Sequence, residues 1–157
     1  MIFSGKAELT IDAQGRVQIP AKIRAAWNPE IHGDHWTCIP WPEQGGMLRL
    51  FPVKTFTSIG AATPNSLTTS GQASELEAQI FGMAEPLRPD KADRVKLPQD
   101  HIDLVGLPKE VVLLGVRDRL EIRDRAAWKN AFKDTFQNLP RLAKEMHAGP
   151  SQASPST

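Results

Sequence analysis

The chain has 157 residues, with 19 Lys and Arg against 18 Asp and Glu, a formal net charge of +1 and one cysteine; this is enough for one ordinary domain or two very small ones. The near-balance excludes a protein drawn to nucleic acid or membrane by bulk charge, so any basic surface must arise by segregation, and a lone cysteine excludes an internal disulfide and points to a reducing cytoplasm. The opening MIFSGKAELT lacks the basic and apolar regions of a signal peptide, and no run approaches the roughly 18 apolar residues of a membrane span, so a soluble intracellular protein is expected.

KAELTID (6–12) alternates apolar Ala7, Leu9 and Ile11 with polar neighbours, the period of a half-buried strand. AQG (13–15) forms a tight turn in which Gly15 is free to take a positive φ, and RVQI (16–19) resumes the strand. Pro20 suits the first position of a helix, and AKIRAAW (21–27) supplies a short one with Ile23 and Trp27 on one face. HWTCIPW (35–41) and MLRLF (47–51) read as strands, followed by a brief amphipathic helix marked by Val53, Phe56 and Ile59. The uncharged stretch 57–74 reads as a flexible connection. It ends on a helix signal, with Ser74 and Glu77 spaced as a capping box and Leu76, Ile80 and Met83 forming one stripe.

The second half repeats this order. DRVKLP (93–98) leads into QDHIDLVG (99–106), a short helix with Ile102 and Val105 inward and Gly106 as its stop. EVVLLGV (110–116) is a buried strand and RLEIR (119–123) an alternating one. Asp124 caps a final helix on which Trp128, Phe132 and Phe136 recur every four residues. LPRLAKEMH (139–147) extends it loosely, and the uncharged tail AGPSQASPST (148–157) is expected to be disordered.

DAQGRVQIP, from Asp12 to Pro20, thus returns as DKADRVKLP, from Asp90 to Pro98. Leu48 and Leu50 match Leu120 and Ile122 at a shorter separation, so the first half has gained residues, chiefly around 29–33 and 42–46. Each copy is too small to enclose a core alone. The two are therefore expected to interlock their strands into one barrel, a mixed β fold with short peripheral α-helices. The expected organisation is a first repeat over 1–59 and a flexible linker over 60–74. A second repeat with its preceding short helix and a C-terminal helix covers 75–136, and a loose extension and tail 137–157.

Asp12 and Arg16 flank the turn and can meet across it. One reading is an internal ion pair that fixes the turn. The other is an outward cation cluster of Arg16 with Lys6, Lys22 and Arg24, able to hold phosphates or, through an Arg fork, to read guanine in a major groove.

The phrase D-x-x-G-R-x-x-(I/L)-P, given twice and each time followed by a short helix and a strand pair, resembles the MraZ family. So do the opening ELTIDAQGRVQIP after Gly5 and the closing VVLLGVRDRLEIRDRAAW. These are bacterial regulators of the division and cell-wall gene cluster, related to the AbrB and MazE DNA-binding domains. The resemblance covers residues 1–136. It implies a swapped-hairpin, AbrB-like β-barrel built by two internal repeats, and ring-shaped homo-oligomers associated with the nucleoid. It also implies D-x-x-x-R turns facing double-stranded DNA at repeated sites upstream of the cluster. Asp12 and Arg16 match the first motif, Asp90 and Arg94 the second; Lys6, Lys22, Arg24 and Lys96 are added from charge and position.

The second copy departs from the motif. Asp93 stands at the glycine position, where a positive φ suits Asp better than most residues. Pro86 and Pro89, equivalent to Glu8 and Ile11, remove ladder donors, so an edge or irregular strand is expected there. The first motif is accordingly the stronger expected DNA contact.

No phosphate-binding glycine loop, nucleophile elbow or helical zinc motif occurs, so neither catalysis, cofactor nor small-molecule substrate is expected. His32, His35 and Cys38 form H-x-x-H-x-x-C, whose residue types suit zinc. No fourth ligand follows at a recognisable spacing, and Cys38 reads as a small core residue. His101 and His147 read as solvated or locally bonded. Trp27 and Trp128 read as core anchors, and Trp36 and Trp41 as candidates for a subunit interface. The run RDRLEIRDRAAWK reads as a solvated face with local ion pairs, or as a ring contact. Two other readings stay open: an antitoxin-type protein-binding module, and a structural ring that has lost DNA binding.

Overall fold

The computed structural model describes residues 2–63, 67 and 70–148. In chain order the elements are β1 (Lys6–Thr10), β2 (Arg16–Gln18), α1 (Ala21–Ala26), α2 (Pro29–His32), β3 (Trp36–Trp41), β4 (Met47–Pro52), α3 (Val53–Ala62), α4 (Gly71–Gly82), β5 (Glu85–Leu87), β6 (Arg94–Lys96), α5 (Gln99–Val105), β7 (Glu110–Val116), β8 (Arg119–Asp124), α6 (Arg125–Gln137) and α7 (Leu139–Ala148). Two units separate, 1–125 and 126–157.

In the first unit a six-stranded sheet runs in the order β1-β7-β8-β4-β3-β5, and β2 and β6 form a ladder of their own. All these pairings are antiparallel. Exchange each strand for its sequence counterpart (β1 for β5, β3 for β7, β4 for β8) and the order reads the same from the other end. The ladder has the same property: Val17 faces its counterpart Val95, flanked by Arg16 opposite Lys96 and Gln18 opposite Arg94. At the centre of the β4–β8 pairing the counterparts Arg49 and Glu121 face each other. Among the described residues the six-stranded order ends at β1 and β5, so hydrogen bonding does not close it into a ring.

Alternation sets this register. Val17, Ile19, Val95 and Leu97 point inward against Leu48, Leu50, Leu113, Leu120 and Ile122, all buried. Each such side chain contributes about 1.5–3 kcal/mol on burial, and a one-residue slip would turn the set outward. The extra residues of the first half form α2 and a 3-10 turn at Glu43–Gly45. β5, carrying Pro86, is a three-residue edge strand paired only with β3, as the missing ladder donor requires.

Several expectations need correction. The stretch read as flexible from residue 57 is helical as far as Ala62. The Thr57 and Ser58 hydroxyls donate to the carbonyls of Val53 and Lys54, so these polar residues bond within the helix. α4 starts at Gly71 with Ser70 before it, which places Ser74 inside the helix and leaves no capping box there. Residues 64–66 and 68–69 of the expected linker lie outside the described residues, as does the expected disordered tail from 149. Trp36 is 2% exposed, against Trp27 and Phe3 at ring centroid distances of 4.7 and 5.4 Å, and belongs to the core rather than a subunit interface. His101 is not solvated. It is fully buried, with Nδ1 3.5 Å from the Cys38 sulfur, because it occupies the place in α5 that buried Ile23 holds in α1.

In the second unit, Trp128, Phe132 and Phe136 succeed one another along α6 with ring centroids 5.6 and 6.2 Å apart. Asn138 donates its N–H to the Asp134 carbonyl and accepts from the N–H of Leu142, continuing the helical bonding into α7. The extension read as loose is thus a regular ten-residue helix.

Candidate nucleic-acid interface

The repeated phrase folds into the same turn twice. Asp12 Oδ1 accepts the backbone N–H groups of Gln14 and Arg16, both at 2.9 Å, and its Oδ2 accepts Arg16 Nε at 2.9 Å. Asp90 Oδ1 accepts from Ala92 and Arg94, both at 2.9 Å, and its Oδ2 accepts Arg94 Nε at 3.0 Å. The backbone matches as well: Gly15 N–H reaches the Asp12 carbonyl at 3.0 Å, and Asp93 N–H reaches that of Asp90 at 2.9 Å. Each aspartate is the template of its turn. Its backbone hydrogen bond from the arginine four residues on is the main cause holding its carboxyl below the usual carboxylate range, and the arginine side chain adds to it. The position after the apex needs a left-handed backbone, with φ 80° at Gly15 and 58° at Asp93.

β2 and β6 bring the two turns together. Each turn offers its carbonyl to the other copy's strand: Ile19 N–H donates to Asp93 at 2.9 Å, and Leu97 N–H to Gly15 at 2.8 Å. With Val17 and Val95 facing the core, strand alternation puts Arg16, Gln18, Arg94 and Lys96 on the opposite face. Arg16 Nη1 lies 4.0 Å from Asp90 Oδ2, linking the motifs directly. Each arginine gives its Nε to an aspartate, which fixes the plane of its guanidinium. The result is a two-stranded platform with two oriented guanidiniums and one lysine.

The other candidates lie elsewhere. Arg24 on α1 reaches the second turn, with Nη1 2.9 Å from Asp93 Oδ2. Lys6 and Lys22 line a recess of about 120 Å³ with Ser4, Gly5 and Pro20. Gln18 escaped the reading of the sequence. Its amide donates to the Ala92 carbonyl at 2.8 Å and buttresses the second turn, and the period of β2, which places it on the face of Arg16, was the available signal.

Glu121 marks a second charge centre and corrects the reading of 117–129 as a wholly solvated face. It is 1% exposed. Its carboxylate accepts from Arg119 Nε at 2.9 Å and from Arg123, and lies 3.6 Å from Arg49 Nε. Burial pushes its pKa up, but the Arg123 and Arg119 hydrogen bonds and charges outweigh this and hold it below the ordinary value. The Arg49 guanidinium also lies over Trp41, 4.4 Å from the ring centre.

His32, His35 and Cys38 are engaged separately. His32 Nδ1 accepts the Asn28 N–H at 2.8 Å, His35 pairs with Asp34, and Cys38 meets His101. Burial pushes the Cys38 thiol up, away from nucleophilic or ligating use. Among the described residues no group of three or more His, Cys, Asp or Glu side chains is arranged to hold a metal ion, and no helix is long and apolar enough to cross a membrane.

Residues 80–148 match the model of a family described as "MraZ protein, putative antitoxin-like". The chain is 29% identical to the transcriptional regulator MraZ of Alkalilimnicola ehrlichii over 85% of its own length and 87% of that protein's. It is 26% identical to the regulator of the same name in Shewanella denitrificans, over 85% and 87% of the two chains. For that of Xanthomonas oryzae pv. oryzae the figures are 24%, 87% and 92%.

Proposed function

Because the chain belongs to the MraZ family, we propose that it is a transcriptional regulator that binds double-stranded DNA without catalysis or cofactor. The observation that carries this reading is the platform on which Arg16, Arg94 and Lys96 lie together, with both guanidiniums oriented by aspartates. A planar fork held in this way is suited to phosphate oxygens and to the O6 and N7 edge of guanine. Asp12 and Asp90 act as positioning residues. Lys6 and Lys22 supply phosphate contacts around the platform, and Arg24, paired with Asp93, is a further cation within reach of the DNA.

Strand pairing that reads alike from both ends supports a swapped-hairpin, AbrB-like barrel made by two repeats within one chain. A single platform offers few cations, so affinity comes from several copies acting together. A ring of subunits engaging repeated sites upstream of the division and cell-wall genes multiplies weak contacts without new chemistry. The working place is the cytoplasm, on the nucleoid.

The test is binding to duplex DNA from upstream of the protein's own gene, titrated across salt. Wild type is expected to bind specifically, with affinity falling steeply as salt rises; Arg16→Ala is expected to lose the specific component. Absence of specific binding by wild type at low salt would refute the reading.

A further inference from the structure

We propose that Asp93 masks Arg24: the acid at the glycine position of the second turn holds a cation of the first-half helix as an internal stand-in for phosphate, and so lowers the DNA affinity of this face. The inference rests on the DNA-binding reading above and adds a regulator to it.

The second turn makes no use of the Asp93 side chain. Asp90 supplies every carboxylate contact that shapes it. Asp93 instead sits at φ 58°, a left-handed backbone that glycine takes without cost. The contact its side chain makes is with Arg24, at 2.9 Å. A carboxylate oxygen at that distance from a guanidinium Nη takes the place a phosphate oxygen would take.

The architecture does not require the pair. At the corresponding places of the other copy stand Gly15 and Ile102, and Ile102 packs against the apolar core. The helix residue at this place is therefore held by the apolar core in one copy and by charge in the other. Asp34 also lines the cleft beside Arg24 and Asp93, but it is engaged by Arg88 at 3.1 Å and by His35. Both partners of the masking pair have side chains 44% exposed, so a polyanion can reach Arg24 and compete. Exposed pairs of this kind are weakly held, so the mask tunes affinity and does not abolish binding.

The experiment compares wild type, Asp93→Gly, Asp93→Asn, Arg24→Ala and the Asp93→Gly/Arg24→Ala double variant on the same upstream duplex across salt. Asp93→Gly also relieves the left-handed backbone, and Asp93→Asn keeps the shape while removing the charge. Both are expected to bind roughly five- to tenfold tighter at about 0.1 M salt, with the slope of log K against log salt steeper by about 0.9, the signature of one added phosphate contact. In the Arg24→Ala background the gain should vanish. A gain that persists there would mean that Asp93 acts by general repulsion, and unchanged binding of both single variants would mean that Arg24 is not masked; either overturns the proposal while leaving the DNA-binding reading intact. Failure of wild type and every variant to bind at low salt overturns both.

Discussion

The two copies of the turn are nearly identical in shape, yet the helices that follow them in sequence differ sharply in charge. Asp12 with Arg16 and Asp90 with Arg94 make the same hydrogen bonds within 0.1 Å. But α1 carries Lys22 and Arg24, while α5 has Asp100 and Ile102 at the matching places and Asp103 one step on. The helices cross over between the copies: Arg24 on α1 stands at the second turn, held by Asp93, and Ile102 on α5 packs against the apolar core. The aspartate–arginine pair is therefore the grammar of the turn, common to both copies. Whatever preference one copy has for DNA is written in the residues around it.

The largest expected effect concerns the centre of the sheet, where the copies meet with opposite charge. Glu121→Ala removes the buried carboxylate on which Arg119, Arg123 and Arg49 converge and should cost about 3–5 kcal/mol, read from the denaturant midpoint. Arg49→Ala, at the counterpart position, should cost clearly less, since Arg49 Nε makes no hydrogen bond and its Glu121 partner keeps Arg119 and Arg123. Similar losses would break the asymmetry.

Next come the two arginines of the platform. Arg16→Ala should weaken binding to the upstream duplex by about 1–3 kcal/mol, the scale of one good fork contact, and Arg94→Ala by less. Equal losses would show that the departure of the second copy from the motif at Asp93 does not matter.

The left-handed turn position gives a smaller effect. Gly15→Ala should cost about 1–2 kcal/mol of stability, while Asp93→Gly should leave stability nearly unchanged, strain relief offsetting the lost exposed ion pair. A comparable destabilisation from both would mean that Asp93 is structural.

The smallest is a pH effect peculiar to the first half, where α2 has no counterpart. Burial lowers the pKa of His32 from its ordinary 6.5. Above that pH folded and unfolded chains are both neutral at this site. As pH falls below it the unfolded chain takes up a proton that the fold resists, so stability declines towards acid. His32→Gln should flatten the stability profile just below pH 6.5. The depressed carboxyls of Asp12, Asp90 and Glu121 add a further loss at lower pH, when they too are protonated.

Much of the fold was legible because it obeys periods of two and of about four. The strands, the edge character of β5 and the positive φ at Asp93 all arise from local chemistry. Glu121 misled because alternation in RLEIR is a rule for a strand with one wet face, whereas β8 lies between β7 and β4 with Leu120, Glu121 and Ile122 all buried. His101 was readable after all: setting the two phrases in register puts it over Ile23. The pairing of Arg24 with Asp93 and the gathering of Arg16, Arg94 and Lys96 were not legible. They depend on β2 meeting β6 across half the length of the chain, which no local pattern encodes.

The meeting of Arg49 and Glu121 has a consequence for assembly. Identical half-chains pairing about such a centre would set like charge against like, two buried carboxylates or two buried cations. Carrying both halves on one polypeptide lifts that restriction and lets the position be filled by opposites. The same chemistry then acts as a lock against self-pairing: halves produced as separate chains should select each other and form a heterodimer in preference to either homodimer.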